Sequence, residues 1–100
     1  MIVVYMTAGN REEAEKIARG LLDKRLIACA NIMPVDSMYW WQDKISHEPE
    51  FAIICKSTEG KFSEIQDEVK RLHSYDLPCI ESWKAEASRE YADWVAKEVK

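Results

Sequence analysis

The chain has no long hydrophobic run. The longest uninterrupted apolar stretch is Met1 to Met6, whereas a membrane-spanning helix needs about 20 such residues, so no membrane segment is expected. Basic residues are the minority: 14 Lys and Arg stand against 18 Asp and Glu, a net charge of −4. Phosphate binding needs a basic face, so a nucleic-acid partner is excluded. Cysteine is sparse and odd in number, at Cys29, Cys55 and Cys79. None forms a Cys-x-x-Cys pair, which excludes a zinc knuckle, and reduced core thiols are expected. The start lacks the basic segment and longer apolar stretch of a secretory leader, so a cytoplasmic location is expected. Glycine and proline number three each and are scattered, with no repeat or linker. One domain spanning residues 1–100 follows. There is no glycine-rich phosphate loop, no paired-carboxylate signature and no Gly-x-Ser-x-Gly elbow.

Hydrophobic residues make up 47% and charged residues 32%, an ordinary balance for a packed core. Ile2 to Thr7 reads as a strand. Asn10 can cap a helix, with Glu13 reaching back to the cap. Ala14, Ile17, Ala18, Leu21 and Leu22 give that helix one apolar stripe, and Lys24 and Arg25 suit its negative end. Ile27 to Met33 is a second strand. A break near Pro34 and Asp36 follows, then Met38-Tyr39-Trp40-Trp41, a polar turn over Gln42 to His47, and a third strand from Phe51 to Lys56. Phe62, Ile65, Val69 and Leu72 line a second helix, Cys79 to Ala85 is a weaker strand, and Ser88 caps a third helix with Tyr91, Trp94, Val95 and Val99 on one face. The order β-α-β-β-α-β-α contains the split unit of ferredoxin-like α+β sandwiches, with an added C-terminal helix.

That topology covers one sheet face with helices. Yet Ile2, Val4 and Met6 point one way while Val3 and Tyr5 point the other, and Phe51, Ile53 and Cys55 oppose Ala52 and Ile54. Strands apolar on both faces need cover on both. The third helix can cover part of the second face, and a partner subunit is expected to cover the rest. The Tyr39-Trp40-Trp41 cluster fits such an interface; a satellite core under the hairpin is the alternative. A base-stacking platform disagrees with the negative charge.

Few residues carry reactive chemistry. His73 sits at a helix end, where a histidine caps the dipole or binds metal. Cys29 with His73 would suit a nucleophile pair, but nothing in the sequence places them together. Lys56 ends a buried strand and either holds an anion or extends its ammonium to solvent. Gly9-Asn10-Arg11 offers an arginine after the first strand, as an acylphosphatase-like enzyme on this fold would need, but no glycine-rich cradle surrounds it.

Five segments together resemble one family: Lys24-Arg25-Leu26-Ile27-Ala28-Cys29-Ala30-Asn31-Ile32, Tyr39-Trp40-Trp41-Gln42-Asp43-Lys44-Ile45, Ile54-Cys55-Lys56-Ser57, Leu72-His73-Ser74-Tyr75-Asp76-Leu77-Pro78, and Tyr91-Ala92-Asp93-Trp94. In order and spacing they are similar to the CutA divalent-cation-tolerance family over essentially the whole chain. The resemblance implies a tight homotrimer with an extended hairpin, similar to PII-type signalling trimers, with Tyr39, Trp40 and Trp41 at the trimer interface. It implies tolerance of divalent metals, copper especially, with no enzymatic reaction and no organic cofactor. The family's proposed metal positions fall on Met6, Leu72 and His73; Leu72 has no donor, which leaves Met6 and His73. Cys29, Lys56, His73 and Tyr75 are expected in a cleft between subunits, and a PII-like sensor of a small anion there, held by Lys56, is the alternative function. Four positions depart from the family pattern. Asp43 replaces a hairpin-tip Gly, Ser57 replaces Thr, Ser74 replaces Pro and is expected to loosen its turn, and Cys79 replaces Glu, adding a soft donor.

Overall fold

A computed structural model describes residues 1–100. The elements are β1 (Ile2–Ala8), α1 (Arg11–Asp23), β2 (Cys29–Trp41), β3 (Lys44–Ser57), α2 (Phe62–Leu72), β4 (Ile80–Lys84) and α3 (Arg89–Glu98). The four strands form one antiparallel sheet in the order β2-β3-β1-β4, the arrangement expected of a split βαβ unit.

β1 occupies the middle of the sheet. Its even residues, Ile2, Val4, Met6 and Ala8, pack with Ile53 and Cys55 of β3 against Ala14, Ile17, Ala18 and Leu21 of α1 and Ile65 and Val69 of α2. Strand alternation and helical spacing thus meet in one core. Leu22, placed on the α1 stripe by its spacing, is instead exposed, because it sits at the stripe's rim beside Leu21, which is fully buried.

The opposite sheet face carries the odd residues of β1. Val3 and Ala52 are buried, while Tyr5 and Ile54 are half-buried. α3 lies on this face, packed against β3. Its Tyr91 hydroxyl reaches Cys29 Sγ at 3.3 Å, and Cys29 shares a row with Lys56 and Val3. Val95 and Val99 are buried there.

β2 and β3 form one continuous hairpin. Pairing runs from Cys29↔Lys56 through Pro34↔Phe51 to Trp41↔Lys44, without the break expected near Pro34 and Asp36. β2 is an edge strand, where alternate N–H groups point away from the sheet, so a proline fits without ending it. Thirteen strand residues reach about 43 Å, and the molecule is accordingly elongated, 44 × 24 × 21 Å. The expected polar turn of Gln42 to His47 shrinks to Gln42 and Asp43, at φ 50° and 62°. Two consecutive left-handed residues make the tight turn that matches strand twist.

Candidate functional site

Two groups of chemically active side chains lie at opposite ends of β1. The first gathers where β1 ends and the chain leaves α2. Asn10 caps α1 through Oδ1, which accepts the Glu13 N–H at 2.8 Å. Glu13 does not return the favour to the cap, as its spacing suggested. Its carboxylate instead takes the Ser74 N–H at 2.6 Å and the Ser74 hydroxyl at 2.9 Å. Ser74 therefore tightens this turn rather than loosening it, since a proline there would offer neither donor.

His73 is locked inside that turn, with its side chain fully buried. The Tyr75 N–H donates to Nδ1 at 3.1 Å, so Nδ1 is an acceptor. Nε2 therefore carries the proton and donates to the Thr7 carbonyl at 2.7 Å. This is the neutral tautomer with both nitrogens engaged. Glu13 Oε1 stands 3.5 Å from Nδ1, a neighbour rather than a hydrogen-bond partner in this tautomer.

Tyr75 completes the group. Its ring lies 4.6 Å from the imidazole, centroid to centroid, tilted at 51°. Its hydroxyl donates to Glu50 Oε2 at 2.8 Å, and Glu50 is only 6% exposed. Burial, then the Glu50 hydrogen bond and charge, hold the Tyr75 phenol protonated well above its usual range. A Cβ on Gly9 would stand 3.1 Å from the Tyr75 hydroxyl, so the small residue leaves that oxygen its room.

The second group is the row Cys29, Lys56 and Val3, with Tyr91 above it. The Cys29 hydrogen bond, then burial, pushes the Tyr91 phenol up. Behind it, Cys55 is buried on the helix side with its thiol pushed up to about 12 by desolvation. Within one protomer, Cys29 and Lys56 are together, and His73 and Tyr75 are together. The two pairs are separated by the span from Val3 to Thr7, about 13 Å along β1.

The residues present do not form a ready metal site. Met6 is fully buried in the core, Leu72 has no donor, and His73 has no free nitrogen. No cluster of three or more His, Cys, Asp or Glu side chains is poised to hold an ion. Cys79 is exposed, its thiol raised by partial burial and by Glu81 and Glu50. Tyr39, Trp40 and Trp41 lie on the arm, all exposed, with Met38 at 69%, Trp40 at 72% and Ile45 at 62%.

Three carboxylates escaped sequence reasoning. Glu13 was legible only as a cap residue, and Glu50, between the polar turn and the third strand, carried no signal. Glu68 had a positional signal, because it falls on the α2 face between Ile65 and Leu72. It is buried and held by Lys24 and Arg71, and the Lys24 hydrogen bond, opposed by burial and aided by Arg71, keeps its carboxyl below the usual range.

Residues 2–98 match the family described as CutA1 divalent ion tolerance protein. A divalent-cation tolerance protein CutA of Archaeoglobus fulgidus is 47% identical over 97 residues, covering 96% of this chain and 95% of that one. The solved structure of the A. fulgidus CutA, described as periplasmic, superposes with a TM-score of 0.96 over the whole of both chains at 46% identity. The PII-like protein CutA of Nostoc sp. PCC 7120 in apo form has a TM-score of 0.92 at 28% identity, covering 100% of this chain and 98% of that one. These are names of tolerance and PII-like proteins, not of enzymes. No helix here is long and apolar enough to cross a membrane. The chain belongs to the CutA1 divalent ion tolerance family.

Proposed function

We propose that this chain is the subunit of a homotrimer that acts without catalysis in tolerance of divalent metal ions, copper foremost. The observation that carries the reading is the bare hairpin arm. It presents Met38, Tyr39, Trp40, Trp41 and Ile45 to solvent in one protomer, and aromatics of this kind belong in interface cores. Three copies in a closed ring let each arm cover a neighbour. The free thiols support a reducing, cytoplasmic setting. Copper is the expected ion because its oxidised form favours imidazole and its reduced form favours thioether and thiolate. At His73 it binds only by displacing the Thr7 or Tyr75 hydrogen bond, so weak affinity is expected, with Met6 as partner only if the core opens. Light scattering tests the assembly: a mass near 11.6 kDa at micromolar concentration overturns it. Calorimetric copper titration of the wild type, His73→Ala and Met6→Leu tests the metal. Equal affinity in all three removes both residues from the site.

A second reading is a PII-like sensor of a small anion. The likeness to the Nostoc protein supports it, together with half-buried Lys56 on the sheet face opposite α1 and α2. In this reading the Cys29–Lys56 end of one subunit and the His73–Tyr75 end of the next form one cleft, which joins pairs that a single protomer keeps apart. Loss of anion binding in Lys56→Gln with retained trimer mass is the expected outcome.

A further inference from the structure

Two carboxylates are buried in the protomer, and only one has its counter-charge. Glu68 is answered by Lys24 and Arg71. Glu50 takes a hydrogen bond from the Tyr75 hydroxyl but belongs to none of the protomer's ion pairs. Its surroundings are negative. Burial raises the Tyr5 phenol and the Cys79 thiol, and the charges of Glu50 and Glu81 raise both further. Arg11, stacked on the adjacent Phe51, lies on the helix side of the sheet. A buried charge is retained only where an opposite charge answers it. The face that carries Glu50 also holds a cation with the opposite lack. Lys56 is half-buried and likewise belongs to no ion pair. Pairing runs unbroken from Glu50 opposite Val35 to Lys56 opposite Cys29, so both side chains share the sheet face away from α1 and α2. They are six positions apart on β3, about 20 Å, too far to meet in one protomer.

We propose that the Glu50 carboxylate pairs with Lys56 of the partner subunit, and so is the built-in anion of the cleft between subunits. A closed ring uses two different patches on every subunit. One β3 strand then offers its Glu50 end to one neighbour and its Lys56 end to the other. Three copies satisfy every such anion and cation with none left over. The Tyr75 hydroxyl holds the carboxylate in place for its partner. The pair rests on the homotrimer reading and deepens the anion reading of the same cleft. A small anion reaches Lys56 only by displacing Glu50, so by linkage its binding also loosens a subunit contact.

Subunit exchange between isotopically labelled and unlabelled protein, followed by native mass spectrometry, tests the pair. Glu50→Gln and Lys56→Gln should each stay trimeric at micromolar concentration but exchange about tenfold faster than the wild type, as when one partner of a buried charge pair is removed. The double variant should exchange no faster than either single one, because each has already broken the same contact. Exchanging the charges, Glu50→Lys with Lys56→Glu, should restore slow exchange that either reversal alone destroys. If the reversals do not fold, the glutamine cycle alone decides. Titration with inorganic phosphate gives the second readout. Glu50→Gln leaves Lys56 unanswered and should bind phosphate about tenfold more tightly than the wild type, whereas Lys56→Gln should not bind it. Glutamine effects that multiply in the double variant, or exchange unchanged by either substitution, overturn the pair. So does phosphate affinity that needs Lys56 but ignores Glu50, which would leave the anion sensor standing. Coupled exchange with no phosphate binding keeps the pair and removes the sensor. A monomeric wild type overturns the pair together with the homotrimer.

Discussion

The body of the sheet and its hairpin arm are built from the same two strands yet solve opposite problems. Near the body, β3 alternates Ile53 and Cys55 into the helix-covered core, both fully buried. Farther along the same ladder, Met38, Trp40 and Ile45 stand in solvent. The hydrogen-bonded register never changes, so the difference lies in what covers the faces. The body is closed by its own helices. The arm has backbone partners, but its large apolar side chains stand exposed, which is the reason for proposing a subunit neighbour there.

The most direct way to break this contrast is to truncate one side chain in each region. Trp41→Ala should cost about 3–5 kcal/mol if neighbours bury the arm, and should lower the assembled mass at micromolar concentration. Ile53→Ala should cost about 2–5 kcal/mol while leaving the mass unchanged. Denaturant melts paired with light scattering check both. A Trp41→Ala protein that keeps its mass and melting temperature would mean that the arm is bare in solution as well.

A smaller effect belongs to the outer side of the helices. Glu68 is a buried carboxylate answered by Lys24 of the α1 C-cap and Arg71 of its own helix. Glu68→Gln leaves those cations without their anion and should cost about 1–3 kcal/mol at neutral pH. The acid limb gives the sign. Because the folded carboxyl sits below its usual range, its stabilisation is present above the unfolded value of about 4.3 and is lost as pH falls through the folded value. The wild type should therefore lose melting temperature more steeply below about pH 4.3 than Glu68→Gln does. Parallel acid limbs would show that Glu68 is not the group that titrates with folding.

How much of this was legible in the residues follows from the range of each interaction. α1 and α3 were readable because Asn10 and Ser88 cap them locally, three residues before the N–H they accept. The body strands were readable from alternation. The arm was misread at Pro34 because a proline in a strand is tolerated only at an edge, and edge position is set by the whole sheet. The candidate site was legible as residue types but not as partners. His73 meets Thr7 across 66 positions, and Ser74 meets Glu13 across 61. No local pattern records such pairs; the first commits Nε2 of the imidazole, while Nδ1 is taken by the Tyr75 N–H only two residues on.

The smallest effect lies at the arm's tip. Gln42 and Asp43 both have positive φ, a conformation that costs an ordinary L-residue about 1–2 kcal/mol and aspartate somewhat less. Glycine adopts it freely but gives back about 0.4–1 kcal/mol through the greater freedom of its unfolded chain. Asp43→Gly should thus gain only about 0.5 kcal/mol, a rise of about 2–4 °C in a domain of this size. The gain should appear equally in the wild type and in the Trp41→Ala background, because the turn's strain is internal to one hairpin. Thermal melts of the four combinations make a double-mutant cycle. If the Asp43→Gly gain vanishes only when Trp41 is present, the tip is held by a neighbouring subunit, and the arm's partner extends over its full length.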